Sequence, residues 1–424
     1  MRNGAPIHDF WGVENRFIVN FSLDFAQIFG REKLHSIWFQ AIALALVPAV
    51  IVGFGRFAYG LVLPAMRLDL GLSYAQLGAL NTANALGYFV GALCCAPVAR
   101  RFPERSLIFW GVLASVVILL ATGLARSYAA LLVLRALVGF SAAFPNIVAT
   151  GLAAKLGAQN AKISATVLGM AIAGPGLGVA FTGATLPFLL AGESDKWPLA
   201  WEFLAFVGLA AFAVILWGTR DLKAPKTDDS APQNANGAAP KLDFRPLIPA
   251  FFAYFLFGLG YIAYMTFFVA YISSLGASPA TVALAFTTLG AAMFGASFAW
   301  RGRLSRERGG FSLFLMGILA GIAAILPLFS SSLWVLMISA IGFGLTTMAV
   351  YTGVTVLLRL HWPRESWTLG VAYATTIFAL GQSIGPYGSG FASDIFGPVA
   401  SLVWSSAILT LAGLVALFQR PKAV

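Results

Sequence analysis

Charge is what this sequence has least of. Only 10% of its 424 residues are Asp, Glu, Lys or Arg, whereas 59% are hydrophobic. A water-soluble domain averages about 25% charged residues. A packed soluble core cannot account for so much apolar surface; a helical protein that crosses a bilayer many times can. Acid is scarcer than base, with 16 Asp and Glu against 27 Lys and Arg and a net charge of +11. The excess does not point to nucleic acid, because positive charge gathered in membrane loops explains it; no nucleic-acid partner is expected. The chain has two cysteines, the adjacent Cys94 and Cys95, and three scattered histidines, His8, His35 and His361. Those spacings build neither a disulfide framework nor a metal site. There is no nucleophile–base pair and no phosphate-binding loop. Neither an enzyme nor a cofactor is expected.

The apolar runs divide into twelve spans of roughly 20 residues, each long enough for a bilayer core about 30 Å thick. They lie near 37–64, 74–99, 106–124, 128–152, 163–190, 197–218, 246–274, 279–300, 311–329, 331–358, 368–393 and 398–418. The expected organisation is a 1–36 cytoplasmic N-terminal segment, a 37–218 bundle of six spans, a polar 219–245 linker and a 246–420 bundle of six spans. The linker is rich in Ala, Pro, Asp and Lys, a composition that favours a flexible connector. With the N-terminus inside, Arg100, Arg101, Arg105, Lys155, Arg301, Arg303, Arg306, Arg308 and Arg359 all fall on the cytoplasmic side. The outer side keeps Arg67, Arg126 and Lys196. This asymmetry places both termini and the linker in the cytoplasm and the chain in the inner membrane as a multi-pass protein. Within 1–36, Phe17, Ile18, Phe21, Phe25, Ile28 and Phe29 form a helical stripe. An interfacial helix and a disordered extension both remain open there.

The chain repeats itself. GFGRFAY at 53–59 matches GLGYIAY at 258–264, and LGLSYA at 70–75 matches LGASPA at 275–280 with the same offset. Six spans separate the copies, an even number, so both halves cross in the same direction. Parallel repeats of this kind place a substrate site between the halves near the bilayer midplane.

Five further stretches carry a family likeness. They are VARRFPERS (98–106), GRLSRERGG (302–310), LRALVGFSAA (134–143), GPGLG (174–178) and GQSIGPYGSG (381–390). On these and the repeat, the chain resembles the major facilitator superfamily over residues 37–420. GxGRFAY in the first span is similar to a bacterial subfamily of it. The resemblance implies an all-α membrane protein with twelve transmembrane helices in two pseudo-symmetric six-helix bundles. It also implies alternating access, with the first, fourth, seventh and tenth spans lining the cavity. In the loop motif Arg100 and Arg306 occupy the usual Asp position, beside Arg101 and Arg105, so the family's charge relay there departs from pattern.

Arg56 within GFGRFAYG poses the functional question, since a charge at a helix centre in lipid costs about 2.5–3.5 kcal/mol on insertion scales. Arg135 is a second such cation, read either as a substrate ligand or as a structural group bonded to backbone carbonyls. No carboxylate is placed to neutralise them. Glu202 lies near the outer end of the peripheral sixth span, and Asp394 is expected at the cytoplasmic end of the eleventh. Candidate substrate contacts beside the arginines are Tyr59, Asn84, Tyr88, Asn146, Tyr261, Tyr264, Tyr351 and Gln382. The expected function is a secondary transporter, acting as a monomer in the lipid bilayer, for a small organic anion such as a carboxylate. Export of amphipathic or hydrophobic compounds is the alternative. A non-transporting sensor or assembly partner with the same fold is a third reading.

Overall fold

A computed structural model of the protein describes residues 31–156, 160–192, 194–220, 222, 243–363 and 366–421. The amphipathic stripe within 1–30 and most of the 219–245 linker lie outside the described residues.

Twelve long helices are present among the described residues. We label them α1 (Ile37–Leu70), α2 (Tyr74–Ala99), α3 (Glu104–Leu124), α4 (Tyr128–Lys155), α5 (Ala161–Leu189) and α6 (Trp197–Thr219). The second six are α7 (Ile248–Ser274), α8 (Pro279–Ala299), α9 (Phe311–Ile325), α10 (Leu333–His361), α11 (Trp367–Phe396) and α12 (Val399–Ala416). Eleven of the spans formed among the described residues are long and apolar enough to cross a membrane. The remaining helix, α11, has 30 residues and packs between α2 and α7. The largest departure from the expected boundaries is in α1. Pro64 lies inside it, and the helix runs on to Leu70 before Gly71 turns the chain at φ 62°.

The sequence repeat is a structural repeat. Gly71 and Gly276 both have positive φ, at 62° and 79°, a backbone conformation that a Cβ disfavours. Two residues on, Ser73 and Ser278 both cap helices, accepting from the Gln76 and Thr281 amides at 3.2 Å each. A capping side chain satisfies an amide that the helix leaves without a partner.

Within the first half α2 packs on α4, α3 on α4 and α6, and α1 on α5 and α6. Within the second, α7 packs on α11 and α12, α8 on α10, and α9 on α10 and α12. The halves meet through α5 with α8, α2 with α11, and the last third of α1 with α7. Helix α7 is the most enclosed, with 89% of its apolar window buried.

The halves are latched at the end of the bundle away from the linker. Asp394 accepts from the Tyr74 amide at 2.6 Å and the Ala75 amide at 3.0 Å. Thr82 donates to the Ser383 carbonyl at 2.7 Å, and Asn81 Nδ2 donates to Thr266 Oγ1 at 2.7 Å. Close contact needs small residues: a Cβ on Gly53 would meet Gly178 Cα at 2.6 Å, so α1 and the GPGLG stretch of α5 touch backbone to backbone. Asp394 therefore corrects the expectation from sequence. It lies at the linker-distal end of the bundle, opposite the end that carries the linker, because an odd-numbered helix runs in the same direction as α1.

Candidate functional site

The helix that carries Arg56 is not a plain α-helix. Residues Ala49–Phe57 form a π-helical stretch, closed by the Ala58 amide bonding the Gly53 carbonyl at 2.9 Å. π-Turns are rare and recur at functional sites, because the widened turn displaces side chains and carbonyls from the α-helical ladder. One such carbonyl, that of Gly55, accepts from Arg135 Nη1 at 2.7 Å.

The two arginines are in different situations. Arg135 is 1% exposed, and its Nη2 also donates to Asn81 Oδ1 at 3.3 Å. Its guanidinium lies over the Tyr59 ring at 4.6 Å and near that of Trp201 at 5.6 Å. Both of its Nη groups are thus engaged. Arg56 is 8% exposed, its Nε is buried without a partner, and its guanidinium has no hydrogen bond or ion pair among the described residues. Arg135 is within electrostatic reach of it, so the like charges repel. The Lys155–Glu104 ion pair, at 3.4 Å, lies elsewhere, joining the far end of α4 to the start of α3.

Arg56 faces phenols and amides from both halves. Tyr88 of α2 and Tyr261 of α7 are in electrostatic reach of its charge. Tyr88 accepts from Asn146 Nδ2 at 2.8 Å, which leaves its own proton to donate. Tyr261 donates to Gln382 Oε1 at 2.9 Å. Tyr351 of α10 is half-buried and interacts electrostatically with Tyr88, and its hydroxyl has no hydrogen-bond partner among the described residues. Donors outnumber open acceptors around this site, and none of these side chains carries negative charge.

Not every candidate joins the cluster. The Tyr59 hydroxyl donates to the Leu77 carbonyl at 2.8 Å, and Asn84 Nδ2 donates to the Arg135 carbonyl at 3.3 Å. Tyr264 shares a 2.8 Å hydrogen bond with Ser339 and stacks on Phe343 inside the second half. These three act between helices. The loop arginines Arg100, Arg101, Arg105 and Arg306 are exposed. Near Arg306 it is Glu307 that organises the backbone, accepting from the amides of Arg308, Gly309 and Ser312 at the start of α9.

Two residues of the cluster are not among the candidates that the sequence suggests. Tyr254 of α7 is 2% exposed, and its hydroxyl has no partner among the described residues. It interacts electrostatically with Tyr88, Tyr261 and Tyr351. Phe378 of α11 stacks on both Tyr254, at 4.4 Å between centroids, and Tyr261, at 5.3 Å. The helical spacing of Tyr254 and Tyr261, two turns apart on one face, is the signal that could have found the first of them.

Twelve helices in two repeat-related bundles give the architecture of a multi-pass membrane protein of the major facilitator type. The chain matches the model of the family described as uncharacterised MFS-type transporter YbfB over residues 48–417, and it belongs to that family. The family and the curated relatives that the chain resembles are transporters, not enzymes. The chain is 28% identical to a gallate transporter of Pseudomonas putida, over 42% of this chain and 39% of that protein. It is 30% identical to the 4-hydroxybenzoate transporter PcaK of Pseudomonas putida, over 30% of this chain and 28% of that protein. The chain thus spans less than half the length of these curated relatives. Among solved structures it resembles a bacterial homolog of the human lysosomal transporter Spinster in an inward-facing, unoccupied conformation. That likeness has a TM-score of 0.67 at 19% identity and covers 92% of this chain and 99% of that one. It also resembles the nucleoside transporter NupG, with a TM-score of 0.68 at 12% identity, covering 91% and 100%. At such identities these two likenesses speak to the fold alone.

Proposed function

We propose that the protein moves a small aromatic carboxylate across the inner membrane by alternating access, with Arg56 as the primary anion ligand. The observation that carries this reading is the guanidinium of Arg56, buried beside Arg135 and paired with no acid. A buried charge without a partner is costly, and a carboxylate accepts two parallel N–H bonds from one guanidinium. The neighbouring phenols add donors and flat apolar surface, which suit a ring. The aromatic acids named for the relatives agree with that chemistry. We read the latch as closing the linker-distal end, so that access to Arg56 comes from the linker side. With the linker in the cytoplasm, as the basic loops indicate, that state faces inward. Arg135 serves as a positioning residue for the π-helical turn.

The test is binding of 4-hydroxybenzoate and gallate to purified protein by calorimetry, followed by counterflow in liposomes. Arg56→Gln is expected to abolish measurable binding while the protein stays folded. A well-folded Arg56→Gln protein that binds these acids normally would end the proposal.

A further inference from the structure

Tyr254 is a buried hydroxyl with nothing to bond. Its ring is well placed, stacked on Phe378 at 4.4 Å, and it is 2% exposed. Its oxygen is nonetheless without a partner among the described residues. A buried hydroxyl left unpaired gives up its bonds to water and gains none in return, which destabilises the fold. A phenylalanine would keep the stack and avoid that cost, so packing alone does not explain the oxygen.

The electrostatic neighbours give the site an order. Arg56 acts on Tyr88 and Tyr261. Those two tyrosines and Tyr351 act in turn on Tyr254, which lies two helical turns, about 10 Å, from Tyr261 along α7. Tyr261 therefore has a cation within reach and, two turns nearer the linker on its own helical face, the hydroxyl of Tyr254. The wall along this line is aromatic: Phe378 stacks on both Tyr254 and Tyr261, and Phe257 stacks on Tyr261 at 6.0 Å. A cation, a flat apolar wall and an unpaired polar group in sequence match a ligand with a carboxylate, a ring and an oxygen opposite the carboxylate.

We propose that Tyr254 is the specificity-determining residue that reads a ring hydroxyl, so that the site selects hydroxylated aromatic carboxylates over their unsubstituted parents. The inference rests on Arg56 holding the carboxylate. In a buried site a polar group left unpaired rejects the analogue that lacks its partner. The same group in Tyr254 would hydrogen-bond the hydroxyl of 4-hydroxybenzoate and meet only a C–H of benzoate.

The experiment measures dissociation constants of 4-hydroxybenzoate and benzoate for the purified full chain, for Tyr254→Phe and for Tyr351→Phe, together with melting temperatures. Wild type is expected to prefer 4-hydroxybenzoate. Tyr254→Phe should weaken that acid about tenfold, the worth of one hydrogen bond, and leave benzoate unchanged. Its melting temperature should hold or rise, because the lost oxygen had no partner. A merely structural tyrosine would instead shift both acids by the same factor, and that result overturns the inference. An unchanged preference in Tyr254→Phe overturns it too, as does loss of the preference in Tyr351→Phe alone. Wild-type protein that binds neither acid overturns the aromatic-carboxylate reading and this inference with it. Binding of both with an unaltered ratio sinks only the role of Tyr254.

Discussion

Arg135 Nη1 donates to the carbonyl of Gly55 at 2.7 Å, one residue before Arg56. One arginine thus anchors the π-helical turn from which the other projects. The same Arg135 reaches Asn81, and Asn81 reaches Thr266 in the other half. A continuous chain of hydrogen bonds runs from the turn that bears Arg56 to the contact between the halves. The turn that bears Arg56 and the contact between the halves are therefore physically connected.

Removing Arg135 should test that connection. Arg135→Ala leaves the Gly55 carbonyl and Asn81 Oδ1 without a donor and empties the face of Tyr59. Two charge-assisted bonds are lost, so stability should fall by about 2–4 kcal/mol. A thermal-shift measurement in detergent reads this directly. Arg135→Lys keeps the charge but not the fork, and should fall between wild type and Ala. An Arg135→Ala protein as stable as wild type would show that the turn stands without its anchor.

Arg56 should respond in the opposite way. Arg56→Lys preserves the charge and loses the planar pair of donors, so binding of a carboxylate should weaken by about 1.5–3 kcal/mol. Stability should change little, since the Arg56 guanidinium makes no bond to the protein among the described residues. Affinity and melting temperature measured on the same sample separate the two arginines. A large drop in stability with affinity retained would make Arg56 a structural clasp.

The latch at Asp394 predicts a conformational effect. Asp394→Asn keeps the shape but has one acceptor where the carboxylate used two, for the Tyr74 and Ala75 amides. Weakening the latch by about 1.4 kcal/mol would raise the population open at the linker-distal end about tenfold. Distances between spin labels on the linker-distal ends of α2 and α11 should broaden toward longer values. A distribution identical to wild type would mean that the carboxylate does not hold this end closed.

Topology is checked by chemistry at two points. Ser194→Cys, beside α6 and close to Trp197, is expected to react with an impermeant thiol reagent added to intact cells. Asn234→Cys in the linker is expected to react only after the membrane is opened. The basis is the concentration of Lys and Arg in the linker-side loops. Reaction of Asn234→Cys from outside would invert the orientation, and with it the reading of the closed end as the outer one.

The class, the span count and the twofold organisation are legible in the order of the amino acids. Scarce charge, twelve apolar runs and a repeated GxGxxAY carry them. Each depends only on local composition and on the length of a helix that fits a bilayer. The positive φ of Gly71 and Gly276 and the caps at Ser73 and Ser278 follow from turn chemistry written in the repeat itself.

Tertiary structure decided everything that depends on a partner. Arg56 and Arg135 look alike in the sequence, each a lone cation in an apolar helix. Only packing shows that Arg135 meets a π-helical carbonyl, Asn81 and two rings while Arg56 meets none. Tyr59, Asn84 and Tyr264 share the residue types of the cluster around Arg56, yet their hydroxyls and amide turn to neighbouring helices. Tyr254 is one aromatic among many in α7, and its significance lies in a bond it does not make, which no pattern of residues can display. Asp394 is a lone acid at a helix end, and its residue type does not say which face it serves. Its role is set by the amides of Tyr74 and Ala75, which the fold brings to it from more than three hundred residues away in the chain.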